Sequence, residues 1–172
     1  FSYNGTWDYW GDKNPYADEY KSTAWLNTNV KNGHGPLGAK YAQDYVSEGD
    51  TPAFMALVAN GLRAYEHPTF GGWGGRFLKD YSNVWVDAME GGSIHTVIAR
   101  WFPAAQNDFS ARMDWSVQPY GGANHHPRIT ITGAQNRTVT ANATVTLQAQ
   151  VTDPDNNSVS SQWWQYKEAG TA

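Results

Sequence analysis

The sequence predicts two parts of different class. Residues 1–124 read as a glycine-punctuated, aromatic part that contains helices. Residues 125–172 read as the first strands of an all-β, immunoglobulin-like sandwich. Three observations carry this. A long apolar run, Ala53 to Leu62, follows Thr51-Pro52. The texture changes near residue 125, at the polar, proline-bearing stretch Asn124-His125-His126-Pro127. Beyond it come short runs that alternate or are rich in Thr and Val.

In the first part the apolar spacing predicts three helices. One runs from Ala17 to Lys31 and ends at Asn32-Gly33. A second runs from Pro52 to Leu62, with Pro52 at the first helical position and Thr51 before it as a cap. A third runs from Ala104 to Trp115. Val84-Trp85-Val86 reads as a short strand, and the stretch from Ile94 to Trp101 favours a helix. Gly71-Gly72-Trp73-Gly74-Gly75 reads as a tight turn with an exposed ring.

In the second part Arg128–Ile131, Ala143–Val151 and Ser158–Tyr166 are the expected strands, and Asp153-Pro154-Asp155-Asn156-Asn157 is a strong turn. A sandwich needs about seven strands, so the domain reads as incomplete at Ala172. Trp163 and Trp164 should face opposite sides of their strand, one as the core Trp and one outward.

Composition narrows the chemistry. Net charge is −4 with no basic block, which argues against nucleic acid as a partner. The absence of cysteine excludes disulfides, thiolate catalysis and zinc–thiolate sites. No run approaches the ~18 apolar residues of a membrane span. The start at Phe1-Ser2-Tyr3-Asn4 lacks the pattern of a signal peptide and reads as a mature or cut end. Nine Trp, ten Tyr and six Phe beside seventeen Gly suit either loops that bind flat ligands such as sugars or an irregular aromatic core.

Asp50 stands at the mouth of the expected second helix. As a carboxylate it either stabilises the helix end, by about 0.3–1 kcal/mol, or ligates a hard cation such as calcium, which takes about six to eight oxygens. Trp73 can stack on a sugar face and Arg76 can donate to its hydroxyls; packing of Trp73 on a neighbour is the competing reading. His34, in a glycine-flanked loop, either touches substrate or is a hydrogen-bonded turn residue. Trp7, Tyr9 and Trp10 beside Asp8 line a pocket or seal an edge. Arg100, Asp108, Arg112 and Asp114 read as a structural ion-pair network, with Asp108 and Arg112 at helical spacing. Asp153 and Asp155 read as a turn or a calcium site, and His125 and His126 as linker residues.

Several motifs together resemble one family. They are His34-Gly35-Pro36-Leu37-Gly38, Glu48-Gly49-Asp50-Thr51-Pro52, Gly72-Trp73-Gly74-Gly75-Arg76, the run from Arg100 to Phe109, Ala111-Arg112-Met113-Asp114-Trp115, and Asp153-Pro154-Asp155 with Trp163-Trp164-Gln165-Tyr166. They look like secreted proteins with a nucleoside-hydrolase-like domain followed by an immunoglobulin-like domain, some members of which are described as cellulose-binding. The resemblance implies an α/β class for the first part, of which residues 1–124 would be the C-terminal portion. It implies a secreted or periplasmic location and a carbohydrate partner. The function expected from it is calcium-assisted glycoside hydrolysis. A non-catalytic carbohydrate-binding protein, or a structural segment docking to the rest of the domain, is the alternative.

The resemblance also makes Asp50 a calcium ligand, and Trp73, Arg76, His34 and Trp10 candidate substrate contacts. Two departures stand against the enzyme. The Asp-rich motif that supplies most calcium ligands in nucleoside hydrolases does not occur here. Gly49 occupies the position where those enzymes commonly carry the histidine that protonates the leaving group. The missing N-terminal part is therefore expected on a separate chain.

Overall fold

The computed structural model describes residues 19–42 and 51–170. These residues form two compact units. The first contains the described residues up to Val117 together with residues 165–170; the second is Gln118–Trp164. The first unit mixes helices with a small sheet, which is compatible with an α/β class. All strand pairing among the described residues is antiparallel. No helix among them is long and apolar enough to cross a membrane.

The first unit opens with α1, Thr23–Leu26, which the Ser22 side chain caps by accepting from Trp25 N at 3.1 Å. The helix continues into a π turn, Asn27–Lys31, and stops where Gly33 adopts φ +83°. It thus starts later than the apolar spacing alone suggests, because Ser22 caps it by taking the Trp25 amide, one of the orphan donors of the first turn. A second short helix, α2 (Gly35–Lys40), forms where the sequence reads as a loop. It rides directly on the π turn: a Cβ on Gly38 would stand 2.5 Å from the Val30 carbonyl oxygen.

The helix expected over Pro52–Leu62 is only Thr51–Met55 (α3). Asn60 Oδ1 takes the Leu62 amide at 3.2 Å and Gly61 sits at φ +92°, so local turns replace the later helical bonds. Val84–Asp87 is a strand, β2, and pairs with an unforeseen β1, Phe77–Tyr81. Then come α4, Thr96–Ala99, and α5, Phe102–Trp115, with Pro103 in its first turn.

Helix α5 positions the unit. Phe102, Ala105, Gln106 and Met113 are its buried residues, on one helical stripe. Phe102 and Ala105 join Ala88, Val97 and Ile98 in one cluster, against which Tyr20, Met55 and Trp73 pack. Met113 joins Leu26 and Val30 in a second, flanked by Trp25, Tyr41 and Phe109. Each fully buried aliphatic or Phe side chain contributes about 1.5–3 kcal/mol.

In the second unit β3, Arg128–Ile131, pairs with β4, Ala149–Thr152, in the register Ile129 to Val151. The Arg137 guanidinium ties the connection by donating to the carbonyls of Ala134, Thr132 and Thr146. The turn after β4 forms as expected: Asp153 Oδ1 accepts from the amides of Asp155 and Asn157 at 2.9 and 3.1 Å. The strand expected over Ser158–Tyr166 is not formed. Nor is either tryptophan there a core residue; Trp163 is 55% and Trp164 52% exposed. Two strands cannot enclose a core, so these rings have no inner face to fill.

Candidate functional site

The polar centre of the first unit is Glu90. Two tight turns bring it beside Arg76. Gly72 and Gly75 exchange amide-to-carbonyl bonds at 2.9 Å, closing a turn around Trp73-Gly74. Ala88 N then donates to Arg76 O at 2.9 Å, so the β1–β2 pairing extends past the strands. Glu90 and Ser93 close the second turn around Gly91 and Gly92, both at positive φ, as such a turn demands. A Cβ on Gly74 would lie 2.0 Å from the Pro52 carbonyl oxygen, so the glycine turn lies against the backbone of α3.

Glu90 is 3% exposed and Arg76 5%. Glu90 Oε1 accepts from Arg76 Nε at 3.0 Å and from the Tyr166 hydroxyl at 2.7 Å; Oε2 accepts from Arg100 Nη1 at 2.8 Å. The Arg100 guanidinium lies over the rings of Trp101 and Tyr166, at 5.3 and 5.0 Å. Those rings meet edge to face at 5.9 Å. Burial, then the hydrogen bond to Glu90, pushes the Tyr166 hydroxyl well above the usual phenol range. Burial works against the charge of Arg100, yet the hydrogen bond and charge of Glu90 hold its pKa above the ordinary value. A buried carboxylate with two guanidiniums and a phenol is satisfied on both oxygens, the condition under which a buried charge is tolerated.

Of the residues singled out from sequence, Asp50 and Trp10 lie outside the described residues. Arg76 is inside, and its Nε is committed to Glu90. Trp73 is partly buried against the first cluster, in place of the exposed ring expected of the turn. His34 is 6% exposed and its Nε2 bonds Asp114 Oδ1 at 3.0 Å. The structure does not bring Trp73, Arg76 and His34 together with one another as a set of ligand contacts: Arg76 faces Glu90 and His34 faces Asp114.

The expected Arg100–Asp108–Arg112–Asp114 network divides. Arg112 Nε bonds Asp108 at 2.7 Å, whereas Arg100 serves Glu90 and Asp114 serves His34. A mainly apolar cavity of about 420 Å³ lies between α3 and α5, lined by Phe54, Met55, Ala105, Gln106, Phe109 and Arg112 among others. In the second unit Asp155 accepts from the His125 amide at 2.6 Å and from its Nδ1 at 3.1 Å, and Tyr120 stacks on the imidazole at 3.9 Å.

Sequence reasoning missed Glu90 and Tyr166. Glu90 carries a weak signal, an acid opening a Glu-Gly-Gly-Ser turn; Tyr166 reads as a strand residue and as the last residue of a family motif, with no site role. Among the described residues no group of three or more His, Cys, Asp or Glu comes together that could hold a metal ion.

Residues 2–77 match the model of the nucleoside hydrolase-like domain of cellulose-binding Sde182. Residues 144–172 match the model of the C-terminal domain of cellulose-binding protein Sde0182. Neither match points to a separate chain as a partner. No curated protein and no solved structure matches the chain. With the motifs in the order the resemblance requires, these two partial matches fit the family of cellulose-binding proteins with a nucleoside hydrolase-like domain.

Proposed function

We propose that the protein binds carbohydrate, and that Trp163 and Trp164 supply a glycan-stacking surface in its second unit. The observation that carries this is their exposure, 55% and 52%, at adjacent positions of a segment without regular secondary structure. Two neighbouring indoles are thus open to a ligand in the same short segment. The negative face of an aromatic ring attracts the C–H groups that line one face of a pyranose. Both residues lie in the stretch matched to the C-terminal domain of a cellulose-binding protein. Adsorption to insoluble cellulose tests the reading. The Trp163→Ala/Trp164→Ala variant should lose most of it, and undiminished adsorption by the folded double variant would overturn the assignment.

A second reading, calcium-assisted glycoside hydrolysis, rests on the nucleoside hydrolase-like match, which contains Asp50. In it Asp50 ligates calcium, and the second unit belongs to an immunoglobulin-like domain. Calorimetric titration with calcium decides it: binding by the native chain and none by Asp50→Asn supports it, and no binding by either removes it. The carbohydrate-binding reading carries a location outside the cytoplasm, secreted or periplasmic, where an insoluble polysaccharide would be met. Fractionation of the producing cells checks this, and a cytoplasmic pool alone would contradict it.

A further inference from the structure

We infer that Tyr166 is an intramolecular plug in a second glycan-binding cleft, formed in the first unit by Arg76, Glu90, Arg100 and Trp101. The inference rests on the carbohydrate-binding reading but places a site away from Trp163 and Trp164. The cleft combines what a pyranose needs. Glu90 accepts hydroxyl protons, Arg76 and Arg100 donate, and Trp101 offers an aromatic surface. Tyr166 occupies this constellation in the manner of a sugar. Its hydroxyl donates to Glu90 Oε1 at 2.7 Å and its ring lies under the Arg100 guanidinium at 5.0 Å.

The hydroxyl is a neutral donor. The two guanidiniums already more than offset the Glu90 charge, so another neutral hydroxyl can replace the phenol without changing the charge of the cluster. Gly71 makes room for the plug, since a Cβ there would stand 3.0 Å from the Tyr166 ring. Tyr166 also lines an open hollow of about 230 Å³ with Gly61, Leu62, Arg63 and Phe70, so the plugged cleft adjoins the surface.

The segment that carries the plug is built to let go. The backbone bonds within residues 165–170 are local: Ala169 N to Tyr166 O at 3.3 Å and Gly170 N to Lys167 O at 3.0 Å. Lys167, Glu168 and Gly170 are exposed. The side chain of Tyr166, half-buried and bonded to Glu90, anchors the strap. A ligand that binds only the open form pays for displacing the closed one in apparent affinity.

Calorimetry and hydrogen exchange with cellopentaose test this on the full chain. Tyr166→Ala should bind roughly tenfold more tightly than the native chain, the scale set by one charge-assisted hydrogen bond. Tyr166→Phe, which keeps the ring, should gain less and in the same direction. Cellopentaose should slow exchange across residues 71–76 and 90–101 of Tyr166→Ala. Equal or weaker binding by folded Tyr166→Ala, or protection confined to residues 118–164, overturns the inference. If Tyr166→Ala does not fold, Tyr166→Phe decides, and affinity equal to the native chain overturns it. Cellulose adsorption by the Trp163/Trp164 double variant reads the second-unit assignment independently.

Discussion

The Tyr166 hydroxyl donates to Glu90 Oε1 at 2.7 Å, joining residues 76 positions apart in sequence. Through Glu90 the same carboxylate joins Arg76, at the foot of β1, to Arg100, between α4 and α5. One side chain thereby ties the sheet, the helices and the returning chain end of the first unit.

Removing that side chain should be costly. Glu90→Ala leaves the Arg76 guanidinium buried without its counter-charge, a class of change that costs about 3–5 kcal/mol. Urea denaturation should show a large loss of stability. Glu90→Gln, which keeps the shape and one acceptor, should lose less. A Glu90→Ala variant as stable as the native protein would mean that Arg76 is not held as described.

Gly74 should tolerate no side chain. A Cβ there meets Pro52 O at 2.0 Å and Ala56 N at 2.3 Å, both backbone atoms that cannot rotate away. Gly74→Ala must push α3 off the turn, at about 1–3 kcal/mol or more. Gly121→Ala is the control, since nothing lies within 4 Å of its Cβ position. Thermal melting of the two variants should separate them clearly.

The second unit should weaken in acid. The His125 amide, then its imidazole, holds the Asp155 carboxyl below its ordinary value of 3.8. A carboxylate with a depressed folded pKa stabilises fully above the unfolded value and loses that contribution as pH falls through the folded one. NMR titration should find Asp155 protonating at lower pH than an exposed aspartate. Asp155→Asn should remove this part of the acid sensitivity, and an unshifted Asp155 would contradict the contact.

Phe102 should be the most sensitive apolar position of α5. Its side chain is fully buried in the first cluster, and Phe→Ala at such sites costs about 3–5 kcal/mol. Truncating Leu57, which is 73% exposed, should cost little by the same denaturation assay.

The α5 stripe, the strand at Val84, the turn at Asp153 and the Asp108–Arg112 pair are all legible in the sequence. Each follows from local spacing, and local spacing is what a sequence records directly. The short α3 is not legible there. Its apolar run reads as helix throughout, but Asn60 and Gly61 divert the chain into turns, and Phe54 and Leu57 stay exposed. Helix α2 is hidden because two glycines and a proline argue against helix, whereas packing on the π turn supplies the stability that propensity lacks.

The sequence by itself determined the resemblance to a family, the change of texture near residue 125, and the exclusion of thiol chemistry. It also marked the aromatic and acidic residues from which a carbohydrate site could be drawn. Only the tertiary structure decided how they are used. It turned Arg76 inward, paired His34 with Asp114, left Trp163 and Trp164 half exposed, and assembled Glu90 with Tyr166. The reason is physical. Propensity and periodicity act over a few residues, whereas a buried charge is satisfied by whichever partners the folded chain brings within hydrogen-bond reach.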